Sequence, residues 1–356
     1  MTTRIHGGNI NEAIKRYGLE GRTVLDFSSN VNPLGPSRAV TRAIRKSLSS
    51  IDRYPDPETP ELRKAIARYF GIKPEQIICG NGSIAIIHLI PRVFRPKKVL
   101  IPAPTFTEYA AAVEDAGGEV VPFRLVEKDG FRVDPVEIAF ALKGADMAFL
   151  CNPNNPTAQL IPREEMMEIV KYALRENVRL VVDEAFMDFV ETDSLIKEAV
   201  QSTHLICIRA FTKFFGLPGL RIGYAVSDER TIETLTAGRE PWTVSVPAER
   251  AAVAALNDWG RIQKTRKLIA QERERLLSEL RILPGVEPFP SPANFIFVKL
   301  ASIDAPTLTE SLGFRGILIR DCSSFPGLGN RFVRIAVKTR RENDRLVQTL
   351  RNILIR

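Results

Sequence analysis

Short apolar runs alternate with amphipathic segments through the middle of the chain. The runs are rich in Val, Ile, Leu and Phe, as expected for strands that are buried on both faces of a sheet. Two amphipathic segments predict helices over 105–116 and 163–176; Pro162, Glu164 and Glu165 suit the start of the second. This alternation predicts an α/β domain with a largely parallel sheet, with strands at 98–101, 119–123, 147–152, 179–184, 204–210 and 221–227.

The last third of the chain has a different pattern. A long charged segment predicts one helix over about 248–283, and a closing amphipathic helix is expected to start near Arg340. Between them lie strand candidates at 294–299, 316–320 and 332–337. We therefore predict a large domain over 36–240 and a smaller α+β domain over 241–356. Residues 1–35, punctuated by glycine and proline, are predicted to form an arm that packs on the small domain.

The composition is that of an ordinary soluble protein of 356 residues, long enough for about two domains. Its net charge of +8 comes from 50 Lys and Arg scattered among 42 Asp and Glu. A positive field suits either nucleic acid or small polyanions, so charge alone does not choose between them. The polar N-terminus and the lack of an apolar run of about 20 residues predict a cytoplasmic protein without a membrane span.

The cysteines predict neither a disulfide framework nor a metal site. They are widely spaced, form no C-x-x-C pair, and are Cys79, Cys151, Cys207 and Cys322. We expect them to act as small buried hydrophobic residues.

A lysine in the stretch FTKFFGLPGLRIGY, residues 211–224, is the strongest candidate for chemistry. Lys213 follows an apolar strand, and burial would lower its pKa and make its amine a nucleophile. Arg221, eight residues on, could bind a phosphate through both arms of its guanidinium. The alternative is a lysine at a strand end that reaches solvent.

Three further segments follow apolar runs. The pair Asp183-Glu184 ends a predicted buried strand, at the sheet edge where ligands bind in open α/β folds, although a helix cap or a structural ion pair is equally common there. Asn155 lies in the loop CNPNNPT, where its amide could donate to a ligand oxygen. The turn at Gly82 leads into an apolar helix whose backbone N–H groups could hold a phosphate.

In their order along the chain, these four segments resemble the fold-type-I aminotransferase superfamily of pyridoxal-phosphate enzymes. The resemblance covers essentially the whole chain and implies that Lys213 binds the cofactor covalently and that Asp183 pairs with its ring nitrogen. It also implies that Asn155 contacts the ring oxygen. The other implied cofactor contacts are Phe106 and Phe186 at the ring and Thr212, Arg221, Gly82, Ser83 and Ile84 at the phosphate. Tyr54 matches a residue that reaches the phosphate from a second subunit, which implies a homodimer.

Two branches of this superfamily fit best: histidinol-phosphate aminotransferases and threonine-phosphate decarboxylases. The segments around His6, residues 25–35 and residues 316–328 resemble the decarboxylases, as do Thr212 and Phe186. This resemblance implies decarboxylation of L-threonine O-3-phosphate to (R)-1-aminopropan-2-yl phosphate and carbon dioxide, in cobalamin biosynthesis. It assigns the substrate phosphate to His6, Arg320 and Arg334, and the substrate backbone to Asn30. The aminotransferase remains the alternative.

Two residues depart from the family pattern. Ala210 stands where a serine commonly contacts the cofactor phosphate, and Ala158 stands where glycine is usual. The first is expected to remove one hydrogen bond, and the second makes the backbone conformation of the 151–157 loop an open question. A regulator built on the same fold is a weaker alternative, since only about 35 residues precede the predicted large domain, too few for a helix-turn-helix module.

Overall fold

The computed structural model describes residues 7–190 and 192–355. Its α-helices are α1 (Ile10–Tyr17), α2 (Arg38–Ser47), α3 (Pro60–Phe70), α4 (Gly82–Phe94), α5 (Glu108–Asp115), α6 (Pro135–Ala141), α7 (Arg163–Arg175), α8 (Ile196–Ala199), α9 (Glu229–Ala237), α10 (Val246–Leu256), α11 (Trp259–Arg281), α12 (Ala305–Gly313) and α13 (Arg340–Leu354). Its strands are β1 (Leu25–Asp26), β2 (Ile77–Asn81), β3 (Lys98–Ala103), β4 (Glu119–Arg124), β5 (Met147–Cys151), β6 (Arg179–Asp183), β7 (Leu205–Ala210), β8 (Ile222–Val226), β9 (Val286–Pro288), β10 (Phe295–Leu300), β11 (Ile317–Leu318), β12 (Arg320–Asp321) and β13 (Phe332–Ala336).

A central sheet carries the strands of the first two-thirds of the chain, in the order β2-β8-β7-β6-β5-β3-β4. Only β8 runs antiparallel to its neighbours in this sheet as described. Strands β5 and β7 are buried along their whole length, and β6 is buried from Leu180 to its end, with helices on both faces of the sheet, as the apolar runs predicted. Because these three strands are parallel neighbours, the loops that follow them meet at one edge of the sheet. The predicted α/β fold with a mostly parallel sheet is confirmed.

A second, antiparallel sheet has the order β12-β13-β10-β9. Helices α11, α12 and α13 bury their apolar faces against it, and the short strand β1 from the N-terminal region pairs with β11 beside it. In this sheet Arg320 of β12 stands directly opposite Arg334 of β13. The register therefore places two arginines side by side at the end of the sheet that faces the central sheet's loops.

Three predicted elements differ from the structure. The single helix over 248–283 is wrong: α10 ends at Leu256 and α11 starts at Trp259, because the Asp258 side chain accepts a hydrogen bond from the Arg261 N–H and caps a new helix. The strand over 316–320 is divided between β11 and β12, which belong to different sheets. The helix predicted from residue 105 starts at Glu108, since the Thr105 hydroxyl donates to Asn154 instead.

The cysteines are free thiols in the interior, as predicted. Burial raises the pKa of Cys79 to about 11 and that of Cys322 to about 12, so both remain protonated at neutral pH. No helix of residues 7–190 or 192–355 combines the length and the apolar character that crossing a bilayer requires.

Candidate active site

Lys213 lies in the loop that follows β7, between the buried side chains of Ala210 and Phe214. Its amine lines a cavity of about 190 Å³ at the carboxyl edge of the central sheet. Burial, with the nearby charges of Arg334 and Arg221, lowers its pKa from 10.5 to about 8. A large fraction of the amine is therefore neutral at mildly alkaline pH, which is the nucleophilic form.

The loop that carries Lys213 is held by the N-terminal segment. The Lys213 carbonyl accepts a hydrogen bond from the Asn32 N–H at 3.0 Å, and the Asn32 side chain donates to the Phe214 carbonyl at 2.8 Å. Asn32 is itself buried. These contacts fix the backbone at Lys213 and at the residue after it, a role of Asn32 that was not predicted from the sequence.

Asp183 is a buried carboxylate at the end of β6, in the same cavity as Lys213. Its oxygens accept from the Tyr109 hydroxyl at 2.7 Å and from the Ala185 N–H at 2.9 Å. Burial raises its pKa, and these two hydrogen bonds oppose that rise. Within residues 7–190 and 192–355 no cation forms an ion pair with it, so a cationic group of a ligand would be its natural partner.

Glu184, its neighbour, has a structural role. Its carboxylate accepts from Arg209 at 2.8 Å, from the Ser194 hydroxyl at 2.8 Å and from the Leu195 N–H at 2.7 Å. Arg209 and Glu184 are both almost fully buried, and Arg209 also pairs with Asp188 at 2.8 Å. Of the alternatives predicted for Asp183 and Glu184, the structural ion pair is therefore the one that applies to Glu184.

The opposite end of the cavity is formed by backbone at the start of α4 and by Arg221. A Cβ added to Gly82 would lie 2.8 Å from Arg221 Nη2, and one added to Gly223 would lie 2.4 Å from the Ser83 nitrogen. These glycines let β8 and Arg221 approach the helix start closely. Helix α4 has 13 residues and no side-chain cap, so its first N–H groups are available to an anion.

Most of the residues that form the walls of the cavity are ones that the resemblance named. Phe106 packs edge to face on Tyr109 with ring centroids 5.5 Å apart, and Phe186 packs similarly on Phe295 at 4.9 Å. Asn155 also lines the cavity, and its Oδ1 accepts a hydrogen bond from Arg334. Besides Asp183, Lys213 and Arg221, the other residues that line the cavity are Ser83, Ile84, Tyr109, Cys151, Ala185, Ala210 and Thr212.

The loop that carries Asn155 adopts an ordered conformation despite the missing glycine. Ala158 has a φ of 61°, in the left-handed region, and its N–H donates to the Asn154 carbonyl at 2.8 Å. The Asn154 side chain donates to Thr157 Oγ1 and to the Pro104 carbonyl. Ala158 thus occupies the conformation that glycine adopts with less strain.

Arg334 connects the cavity to the small antiparallel sheet. It is buried, its two Nη groups donate to Asn155 and to the Ser28 carbonyl, and burial lowers its pKa to about 10. Arg320, its register partner on β12, donates to the Ser324 hydroxyl at 2.8 Å. Two buried, adjacent guanidinium groups repel each other, and an anion with two negative charges would offset both the repulsion and the desolvation.

The N-terminal candidates have different outcomes. Asn30 is 1% exposed, its carbonyl accepts from Asn294 at 3.0 Å, and its side-chain oxygen has no hydrogen-bond partner in the described chain. It lies two residues before Asn32 and hence beside the Lys213 loop. His6 lies outside the described residues. Tyr54 is 81% exposed and packs on Trp242 at 4.9 Å, away from the cavity of its own chain.

The donor set matches pyridoxal 5′-phosphate in three independent respects. A buried carboxylate that forms no ion pair with any described residue suits a protonated ring nitrogen, and an amine with a lowered pKa suits an aldehyde. The glycine-lined helix start beside Arg221 suits a phosphate. Ala210 offers no hydroxyl there, as the sequence indicated.

Tyr109 was missed by the sequence analysis. It is fully buried, stacks on Phe149 at 5.2 Å and holds Asp183. An aromatic residue within an ordinary amphipathic helix carries no signal for this role, because only the packing of α5 against the central sheet brings its hydroxyl to the carboxylate.

Comparison with known proteins gives a family match over most of the chain. The model of the aminotransferase class I and II family matches residues 22–350. A relative from Caldanaerobacter subterraneus, named provisionally as a threonine-phosphate decarboxylase, is 41% identical over 98% of this chain and 93% of its own length. The threonine-phosphate decarboxylase of Salmonella typhimurium is 35% identical over 98% of this chain and 96% of its own.

A solved structure with the same fold is the histidinol-phosphate aminotransferase from Sinorhizobium meliloti in complex with pyridoxal-5′-phosphate. It superposes with a TM-score of 0.87 at 27% identity, over 97% of this chain and 95% of that one. Both branches that the sequence suggested are therefore among the similar proteins.

Proposed function

Because the chain belongs to the class I and II aminotransferase family, we propose that it uses pyridoxal 5′-phosphate to decarboxylate L-threonine O-3-phosphate. The products are (R)-1-aminopropan-2-yl phosphate and carbon dioxide. The observation that carries this proposal is the buried pair Arg320–Arg334 in register beside the Lys213 cavity. The names of the 41% and 35% identical relatives support the same activity.

The cofactor, when bound, supplies an electron sink for whichever bond at the substrate Cα stands perpendicular to its ring. The chain's own residues hold it: Lys213 through its amine, Asp183 at the ring nitrogen and Asn155 at the ring oxygen. Phe106 and Phe186 pack at the ring. The phosphate is held by Thr212, Arg221 and the backbone of Gly82, Ser83 and Ile84.

Orientation of the substrate decides which Cα bond breaks. Arg320 and Arg334 hold the substrate phosphate, each charge-assisted hydrogen bond contributing about 1.5–3 kcal/mol in a partly dry site. His6 is a further phosphate ligand, and Asn30 orients the substrate backbone. Because the arginines are engaged by the phosphate, the carboxylate is left to turn out of the ring plane.

Lys213 handles the proton that balances the reaction. Loss of carbon dioxide leaves the electron pair of the Cα–carboxylate bond behind, and one proton must be added at Cα. A lysine with a pKa of about 8 in this cavity can deliver that proton from Nζ near neutral pH. Burial raises the pKa of the Tyr109 hydroxyl and of the Cys151 thiol, which also line the cavity, so both groups hold their protons at neutral pH.

We also propose that the enzyme is a homodimer in which Tyr54 reaches the cofactor phosphate of the partner subunit. Tyr54 and Trp242 form an exposed aromatic pair, and Leu48 and Ile51 are exposed nearby in sequence. Large apolar side chains exposed together are typical of an interface. Dimerisation would bury them and bring Tyr54 to a second active site.

The location of the enzyme, its pathway and its division into domains are part of the same proposal. We place the enzyme in the cytoplasm and in cobalamin biosynthesis, and divide it into an arm over 1–35, a large domain over 36–240 and a small domain over 241–356. Histidinol-phosphate aminotransferase is the second candidate, since the Sinorhizobium enzyme shares the fold over 97% of this chain.

A side-by-side assay distinguishes the two candidates. Purified protein with added cofactor is offered L-threonine phosphate without a keto acid, and separately histidinol phosphate with 2-oxoglutarate. We expect carbon dioxide only in the first reaction. Amino transfer in the second reaction, without carbon dioxide in the first, would contradict the decarboxylase and leave the family assignment intact.

A further inference from the structure

A basic groove lies on the small-domain side of the molecule, apart from the Lys213 cavity. Its volume is about 940 Å³, and none of its lining residues lines that cavity. Arginines make up much of its lining: Arg22, Arg315, Arg341 and Arg345. The remaining lining is largely apolar or neutral, from Leu19, Leu25 and Phe314 among others.

The arginines of this groove are exposed and have no ion-pair partner within the described chain. The carboxylate in the groove, Glu342, is engaged elsewhere: its Oε2 accepts from the Thr339 N–H at 3.0 Å and from the Thr339 hydroxyl, which caps α13. Arg315 donates to the Ser311 carbonyl at 2.6 Å, which fixes its side chain at the rim. Four cations and one carboxylate thus line one concavity, which leaves it with an excess of positive charge.

Arg341 is placed unfavourably in the helix that carries it. Arg341 lies in the first turn of α13, where the helix dipole disfavours a positive charge. Arg345 lies one turn later, where Arg341 repels it and Glu342, three residues before it, attracts it. The charge that Arg341 adds to the groove is therefore better explained by an anionic ligand than by folding.

We propose that this groove binds a small oligophosphate, either free or as part of a nucleoside triphosphate. Its volume is within the range of small-molecule sites, and the arginines converge on one hollow rather than forming a stripe along the surface, as a nucleic acid would require. Arginine matches the geometry of phosphate oxygens, and several unpaired arginines suit several linked phosphates. Phe314, 57% exposed at the rim, is placed to contact a base.

Isothermal titration calorimetry on the cofactor-loaded enzyme tests the proposal, with tripolyphosphate and ATP as probes at low salt. The double variant Arg341→Gln/Arg345→Gln should bind both probes about tenfold more weakly or worse, because two charge-assisted contacts are lost. The control Arg68→Gln/Arg281→Gln removes the same charge from two exposed arginines outside the groove and should stay within about twofold of wild type.

Both probes binding equally would identify the phosphate chain as the ligand, and tighter binding of ATP would add a contact from the nucleoside. No binding to wild type would overturn the proposal. So would equal losses in the two double variants, since this would indicate a general charge effect, or unchanged binding in the groove variant. Urea unfolding of that variant should show undiminished stability, which separates lost binding from misfolding.

Discussion

Replacing Lys213 with methionine is expected to stabilise the cofactor-free protein while it abolishes activity. The lysine amine lies in a cavity where burial, Arg334 and Arg221 all disfavour its charged form. The pKa of Lys213 falls from 10.5 in the unfolded protein to about 8 in the folded protein. When the amine is protonated in both states, this difference lowers the free energy of unfolding by about 3 kcal/mol. Because Lys213 keeps part of its surface exposed, this value is an upper bound.

The pH dependence follows from the direction of this pKa. Below about pH 8 both the folded and the unfolded protein hold the proton, and Lys213→Met should be more stable than wild type by up to about 3 kcal/mol. Between pH 8 and 10.5 only the unfolded wild type retains the proton, so wild type gains stability and the difference shrinks. Above 10.5 the contribution of this charge should vanish.

Urea unfolding of both cofactor-free proteins at a series of pH values measures this difference. Lys64→Met serves as the control, since Lys64 is 61% exposed and only pairs with Glu61 on the surface of α3. Its effect should be below about 1 kcal/mol at every pH. A Lys213→Met protein that is no more stable than wild type at pH 7, or whose advantage grows as pH rises to 10.5, would refute the reasoning.

Three further substitutions test separate parts of the site. Arg334→Gln should raise KM for phosphorylated threonine about tenfold to a hundredfold but hardly change it for threonine; equal changes would exclude phosphate binding. Tyr109→Phe should weaken cofactor retention in dialysis about tenfold or more, since a buried carboxylate loses a hydrogen bond; unchanged retention would contradict this. Gly223→Ala should lower stability by about 1–3 kcal/mol, because its Cβ would meet the Ser83 nitrogen, whereas Gly219→Ala, with no atom within 4 Å, should be neutral; equal unfolding midpoints would contradict the close packing.

The sequence predicted the parts of the site that depend on strand ends. Asp183 and Lys213 each follow an apolar run, and a parallel sheet brings such positions to one edge whatever the details of packing. The resemblance to a known family then gave each of them a role, and the structure brings both into one cavity with Asn155 and Arg221. Those roles remain predictions.

Contacts between elements distant in sequence could not be predicted in this way. The hydrogen bond from Tyr109 to Asp183 and the hold of Asn32 on the Lys213 loop depend on how helices and the N-terminal segment pack, which no local pattern encodes. The prediction of one continuous helix over 248–283 failed for a different reason. The charged pattern continues across the break between α10 and α11, and only the capping contact of Asp258 separates the two helices.

The central claim is that the site directs cleavage to the Cα–carboxylate bond and leaves the Cα–H bond intact. Running the reaction of L-threonine phosphate in deuterium oxide and analysing both product and recovered substrate by mass spectrometry tests it most directly. We expect one deuterium at the carbon that lost the carboxylate, and recovered substrate without deuterium. Exchange of the substrate Cα hydrogen faster than release of carbon dioxide would contradict the claim and would favour the aminotransferase.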